Sequence, residues 1–169
     1  MADSRSPNQH LQPLSSTVTA EGHLTVGGCD VVDLAARFGT PLYIVDELTL
    51  RTACAQYVEA LRVHYPGPSQ ALFATKAWSN LAICAIAHAE GLGMDVVSLG
   101  EMITAERAGV PGDLIYLHGN NKSEAEIRHA IAIGSTIVAD SHNDLDLIER
   151  VVAEPAAGQI PVGQAPARV

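Results

Sequence analysis

The chain has 169 residues, with ten Lys and Arg against nineteen Asp and Glu for a net charge of −9. That length allows one ordinary domain or part of a larger one, and 47% apolar residues exclude disorder of the whole chain. A negative field without a concentrated basic face repels phosphate backbones and anionic lipid, so neither nucleic acid nor a membrane surface is an expected partner.

Cys29, Cys54 and Cys84 are too few and too scattered for a disulfide framework or a CxxC metal clamp, which fits a reducing, cytoplasmic compartment. No metal site is expected. The first twenty residues carry no apolar core of a secretory signal. The longest apolar run, Leu81 to Ala87, falls far short of the ~20 residues that span a bilayer.

In chain order, residues 1–26 read as a disordered or weakly ordered tail, with Thr17 to Val26 at most a weak strand. Residues 27–66 form a leading strand and helix. Pro41-Leu42-Tyr43-Ile44-Val45 has a strand's composition, and a helix from about Glu47 to Tyr65 is capped by Asp46, with Leu50, Cys54, Tyr57 and Leu61 on one face. Residues 67–169 alternate short apolar runs with helix-period segments. The runs centre on Leu72, Met94, Ile115 and Ile137, recurring 22, 21 and 22 residues apart, which is a βα repeat.

Punctuation supports the helices between the runs. Asn80 caps Leu81 to Glu90, which Gly91 ends. Ser98 with Glu101, and Ser123 with Glu126, read as capping boxes whose helices stop at Gly109 and Gly134. After Glu154 the Pro- and Gly-rich composition predicts a loop, and the ending resembles a fifth strand cut short. A complete (β/α)8 barrel needs about 250 residues. The expected fold is therefore α/β: the N-terminal part of a TIM-type barrel, about four βα units, preceded by a strand that would join a separate β domain. A self-contained four-stranded α/β domain is the alternative.

In βα repeats the functional face lies at the carboxyl ends of the strands. Those ends are polar here: Thr75-Lys76-Ala77, Ser98, His118-Gly119-Asn120-Asn121-Lys122 and Asp140-Ser141-His142. Lys76 stands between Ala74 and Ala77 at the tip of a buried strand. Desolvation there would favour the neutral amine that attacks carbonyls, a Schiff-base lysine, whereas a lysine that snorkels to solvent or pairs with an acid is the plainer reading. Asp140, His142, Asp144 and Asp146 alternate as calcium ligands do, but lack the loop glycine and distal glutamate; acids in a first helical turn explain them. Phosphate-loop, dinucleotide, serine-hydrolase and zinc-protease signatures are absent from the sequence.

Several motifs in order resemble the alanine-racemase-like (fold type III) barrel enzymes that use pyridoxal phosphate. They are Thr40-Pro41-Leu42-Tyr43-Ile44, Phe73-Ala74-Thr75-Lys76-Ala77, Gly93-Met94-Asp95-Val96-Val97-Ser98 with Gly100-Glu101, and His118-Gly119-Asn120-Asn121-Lys122-Ser123. The last is most specific to the diaminopimelate-decarboxylase branch, and the resemblance spans about residues 27 to 152.

The resemblance implies that Lys76 is the catalytic, cofactor-holding lysine, that Asp95 and Glu101 are acids near it, and that His118 and Asn120 stand beside the ring. It implies pyridoxal 5'-phosphate as cofactor, an amino-acid substrate, decarboxylation of meso-diaminopimelate to lysine, and a homodimer at full length. Beside these roles stand plainer ones: Asp95 as a buried acid paired with a basic neighbour, Glu101 as half of its capping box, His118 as a core histidine, Asn120-Asn121 as a turn. Trp78 and Leu99 depart from the family pattern without removing a reactive group. The glycine-rich phosphate loop, the carboxylate for the pyridine nitrogen, the substrate arginines and the partner-subunit cysteine belong to later segments of the family. The 169 residues alone are accordingly expected to be inactive. A decarboxylase for arginine or ornithine, or a non-catalytic pyridoxal-phosphate protein, are the alternatives.

Overall fold

A computed structural model describes residues 8–154, in two compact units that divide between Gln56 and Tyr57. The first unit is built on a small antiparallel sheet of β1 (Thr17–Val18), β2 (Leu24–Val26) and β3 (Cys29–Asp30), in that order. Gly27 and Gly28, with φ of 59° and 79°, make the two-residue turn between β2 and β3. Two successive positive φ angles match the right-handed twist of the strands, and glycine adopts them without strain. The pairing of β1 with β2 corrects the expectation of a tail reaching residue 26: within Thr17–Val26, read as at most a weak strand, lie two short paired strands. The expectation for residues 1–7 lies outside the described residues.

Asp30 then caps α1 (Val31–Phe38), accepting a hydrogen bond from the Val32 amide at 2.8 Å. The sequence reading did not include this helix, although Asp30 before it and Gly39 after it were its visible signals. Asp46 caps α2 (Glu47–His64) as expected, accepting from the Thr49 amide at 3.1 Å, and also accepts from the Ser15 hydroxyl at 2.7 Å. These hydrogen bonds, from the Thr49 and Ser15 hydroxyls foremost, hold its carboxyl below the ordinary aspartate range. Of the expected apolar face of α2, Cys54 is buried, but Tyr57 is 70% exposed. Pro41–Val45, read as a strand, forms no strand and joins neither sheet. Apolar composition makes a strand possible; a paired neighbour makes it one.

The second unit is the βα repeat. Strands β4 (Leu72–Ala74), β5 (Gly93–Val96), β6 (Ile115–Leu117) and β7 (Thr136–Ile137) lie parallel in chain order. They alternate with α3 (Leu81–Ala89), α4 (Leu99–Arg107), α5 (Glu124–Ile133) and α6 (His142–Ala153). The register pairs Phe73 with Met94, Met94 with Ile115, Val96 with Leu117 and Leu117 with Ile137. These residues share one sheet face. On it Met94, Val96, Ile115, Leu117 and Ile137 are 0–1% exposed, each stabilising the fold by roughly 1.5–3 kcal/mol relative to exposure. The opposite face carries Ala74, Asp95, Tyr116 and Thr136, all partly accessible. Sequential parallel units with one face packed by helices match the expected barrel segment. The Pro- and Gly-rich stretch from Pro155 lies outside the described residues.

Candidate active site

Parallel register brings the carboxyl ends of β4, β5 and β6 side by side, with Ala74 level with Asp95 and Asp95 level with Tyr116. Immediately beyond Ala74 the chain tightens into a 3-10 turn, Thr75–Ala77. The turn sends Thr75 inward to 0% exposure and leaves Lys76 exposed. The expectation of a desolvated amine is thereby corrected: apolar neighbours in sequence do not bury a side chain that a 3-10 turn carries outward. The Lys76 ammonium makes no hydrogen bond or ion pair with any described residue. An amine at this position is both accessible and unclaimed.

Asp95 projects from the open face of β5. Its Oδ1 is buried and has no hydrogen-bond partner among the described residues. The nearest cationic candidate is His118 Nδ1 at 3.8 Å, an electrostatic contact beyond hydrogen-bond length. His118 follows β6 and is anchored by its amide, which donates to the Val96 carbonyl at 2.8 Å, while its side chain is 41% exposed. It is therefore not a core histidine. Asn120 lies on the exposed bend that follows, at the same end of the sheet.

Glu101 settles between its two readings in an unexpected way. Ser98 Oγ accepts from the Glu101 amide at 3.2 Å, which is half of a capping box. The carboxylate does not return to Ser98. Its Oε2 accepts from the Thr75 hydroxyl at 2.8 Å and from the Val97 amide at 2.7 Å. Thr75 Oγ1 also lies 2.9 Å from the Asp95 carbonyl, so the residue before Lys76 is fixed to β5 and α4 together.

The same device recurs along the repeat. Ser123 and Glu126 form the complete box, and Glu126 Oε1 additionally accepts from the Leu99 amide at 3.1 Å. Burial would raise the Glu126 carboxyl, but the Ser123 amide and hydroxyl and the Leu99 amide outweigh it and hold the group below its usual range. Ser141 Oγ accepts from the Asp144 amide at 3.1 Å, while Asp144 Oδ2 accepts from Lys122 Nζ at 2.8 Å and the Asp140 amide at 3.2 Å. Three helices thus begin Ser-x-x-acid, and each acid reaches to the preceding βα connection. Thr75 and Lys122 stood among the polar strand-end residues and Asp144 among the alternating acids, but the sequence reading assigned no partner to any of them. The repeated Ser-x-x-acid spacing was the available signal, but it names the acid and not its distant partner.

The sequence pattern of the family described as "Pyridoxal-dependent decarboxylase, pyridoxal binding domain" matches residues 30–162. The chain belongs to the pyridoxal-dependent decarboxylases. The match contains Lys76, Asp95, Glu101, His118 and Asn120. A diaminopimelate decarboxylase of Synechocystis sp. is 47% identical over 162 residues, covering 91% of this chain and 34% of that protein. The diaminopimelate decarboxylase of Bacillus subtilis is 39% identical, over 83% of this chain and 32% of its own. Among solved structures, a diaminopimelate decarboxylase from M. jannaschii superposes with a TM-score of 0.75 at 33% identity, covering 81% of this chain and 32% of that one. A lysine/ornithine decarboxylase from Vibrio vulnificus, complexed with putrescine, superposes with a TM-score of 0.58 at 26% identity, covering 79% and 34%. The chain spans about a third of the length of these decarboxylases.

Proposed function

We propose that the whole protein decarboxylates meso-2,6-diaminopimelate to L-lysine and carbon dioxide, with pyridoxal 5'-phosphate held at Lys76. The observation that carries this reading is the accessible, unclaimed Lys76 amine at the end of β4, beside the orphaned Oδ1 of Asp95. A carbonyl cofactor needs the first, and a donor brought by a ligand would satisfy the second. The residues present therefore fit the group. When bound, pyridoxal phosphate supplies an aldehyde to which amines add and a conjugated ring that accepts the electron pair released with carbon dioxide.

This chain's own residues bind and orient. Lys76 holds the cofactor covalently through Nζ. Asp95 presents Oδ1 as an acceptor, with His118 beside it. Glu101 fixes the turn that carries Lys76, through Thr75, and His118 and Asn120 are the residues of the loop after β6 that would stand beside the bound group. The diaminopimelate branch is favoured over the lysine/ornithine branch by the higher superposition, 0.75 against 0.58. An amino-acid substrate, a second copy of the chain as partner and a cytoplasmic location complete the reading; no helix of the described residues is long and apolar enough to cross a membrane.

Two measurements test it. Borohydride reduction of the protein with pyridoxal phosphate, followed by peptide mapping, is expected to place the label on Lys76; label on Lys122, or on neither, removes the assignment. Release of labelled carbon dioxide by the whole protein is then compared for meso-diaminopimelate, L-ornithine and L-arginine. Preference for either of the last two overturns the substrate.

A further inference from the structure

Lys122 is the most deeply buried cation among the described residues, with a side chain 2% exposed against an Asp144 side chain that is 0% exposed. Burying an ammonium is unfavourable unless its protons are satisfied. Here Nζ donates to the Gly119 carbonyl at 2.6 Å and to Asp144 Oδ2 at 2.8 Å, with Asp140 Oδ1 at 3.5 Å. One acceptor belongs to the loop after β6 and the others to the start of α6, so the amine ties two neighbouring βα connections together.

The tied loop is the one that needs it. Gly119 has φ +86° and Asn121, a non-glycine residue, has φ +56°. A Cβ at Gly119 would stand 3.3 Å from the Val97 carbonyl oxygen. Glycine takes such an angle without strain, whereas Asn121 in the left-handed region keeps it because its surroundings hold it there. The His118 amide on the Val96 carbonyl holds one end, and Lys122 on the Gly119 carbonyl holds the other. For stability alone a well-packed apolar pair would serve as well as a buried ion pair. An apolar pair cannot hold a loop carbonyl and a helix-start carboxylate at once, whereas the ammonium, with three donors, does both.

We propose that Lys122 is a positioning residue: with Asp144 it sets the His118–Asn121 loop and thereby the placement of His118 and Asn120. What the loop does at that place rests on the proposed pyridoxal chemistry; the tie itself does not.

The variant Lys122→Met/Asp144→Leu removes the tie while leaving no buried unpaired charge. Its urea midpoint is expected near that of the unaltered protein. Without cofactor, exchange of the His118 amide, the one loop amide with an acceptor among the described residues, is expected to rise about tenfold or more relative to β6. With pyridoxal phosphate, the affinity is expected to fall about tenfold and the visible dichroism of the bound cofactor to weaken. Unchanged exchange at His118 overturns the proposal. Raised exchange with unchanged affinity and dichroism overturns it as well, since the loop would then not place the site. If the unaltered protein takes up no cofactor, the functional reading fails and the exchange measurement alone decides the tie. Should the double variant not fold, Lys122→Arg keeps the charge but presents a planar fork; it is expected to raise exchange at His118, and a His118 amide as protected as before overturns the proposal.

Discussion

Glu101 Oε2 accepts a hydrogen bond from the Thr75 hydroxyl at 2.8 Å, across 26 residues of sequence. The side chain that a Ser-x-x-Glu pattern assigns to its own helix cap is spent instead on the turn that presents Lys76. Charge-assisted hydrogen bonds of this kind contribute more than neutral ones. Glu101→Ala is therefore expected to lower stability by roughly 1.5–3 kcal/mol, more than the ~1 kcal/mol of Ser98→Ala at the cap itself. Urea denaturation of the two variants measures the difference, and equal losses would mean that Glu101 is only a cap residue.

Lys76→Ala should leave the fold unchanged, because the side chain is exposed and makes no hydrogen bond or ion pair with a described residue. The stability change expected of such a surface position is within about 0.5 kcal/mol. Borohydride-stable incorporation of pyridoxal phosphate should disappear in the same variant. A large drop in the melting temperature would show that the amine serves packing.

Asp144 predicts an acid-side dependence of stability. Burial would raise its carboxyl, but the hydrogen bond from Lys122 leads the contributions that outweigh it, and the group titrates below the ordinary aspartate value. As pH falls, the unfolded chain takes up its proton first. The stabilisation is thus complete above the unfolded value of about 4 and is lost progressively as pH drops toward and through the lower folded value. Urea midpoints between pH 7 and 3 should fall more steeply for the unaltered protein than for Asp144→Asn, which has no proton to gain there. Parallel curves would contradict the assignment.

The two faces of the sheet should respond differently to truncation. Leu117 is 0% exposed on the helix-covered face, and Leu117→Ala should cost about 2–5 kcal/mol. Tyr116, its neighbour on the open face, is only partly buried. Tyr116→Ala should cost less than half as much, as read by thermal melts of the two variants.

Thiol reactivity offers an independent check on burial. Burial, with the nearby Glu101 charge second, raises the Cys84 thiol above its usual range, and the residue is 0% exposed. Cys29 is exposed. A thiol reagent at pH 8 should modify Cys29 rapidly and reach Cys84 only when the protein unfolds. Fast native labelling at Cys84 would contradict the packing of α3.

The repeat was legible in the sequence because each level of it is local. Apolar runs 22, 21 and 22 residues apart, Asn80, Ser98 and Ser123 before helices, and Gly134 after one are features a short window contains. That the polar residues following each run lie at one end of the sheet was legible for the same reason: parallel topology carries every strand's carboxyl end to one edge. What failed was non-local. Thr17–Val18 and Leu24–Val26 are too short to show an alternation, yet they pair; Pro41–Val45 shows the composition of a strand, yet has no ladder. Whether Lys76 was buried turned on a 3-10 turn rather than on its neighbours. The partners of Glu101, Glu126 and Lys122 lie 26, 27 and 22 residues away. A sequence states which groups seek hydrogen bonds or burial, since that follows from side-chain chemistry alone. Which group each one meets depends on the crossing of separate units in space, and only the tertiary structure decides it.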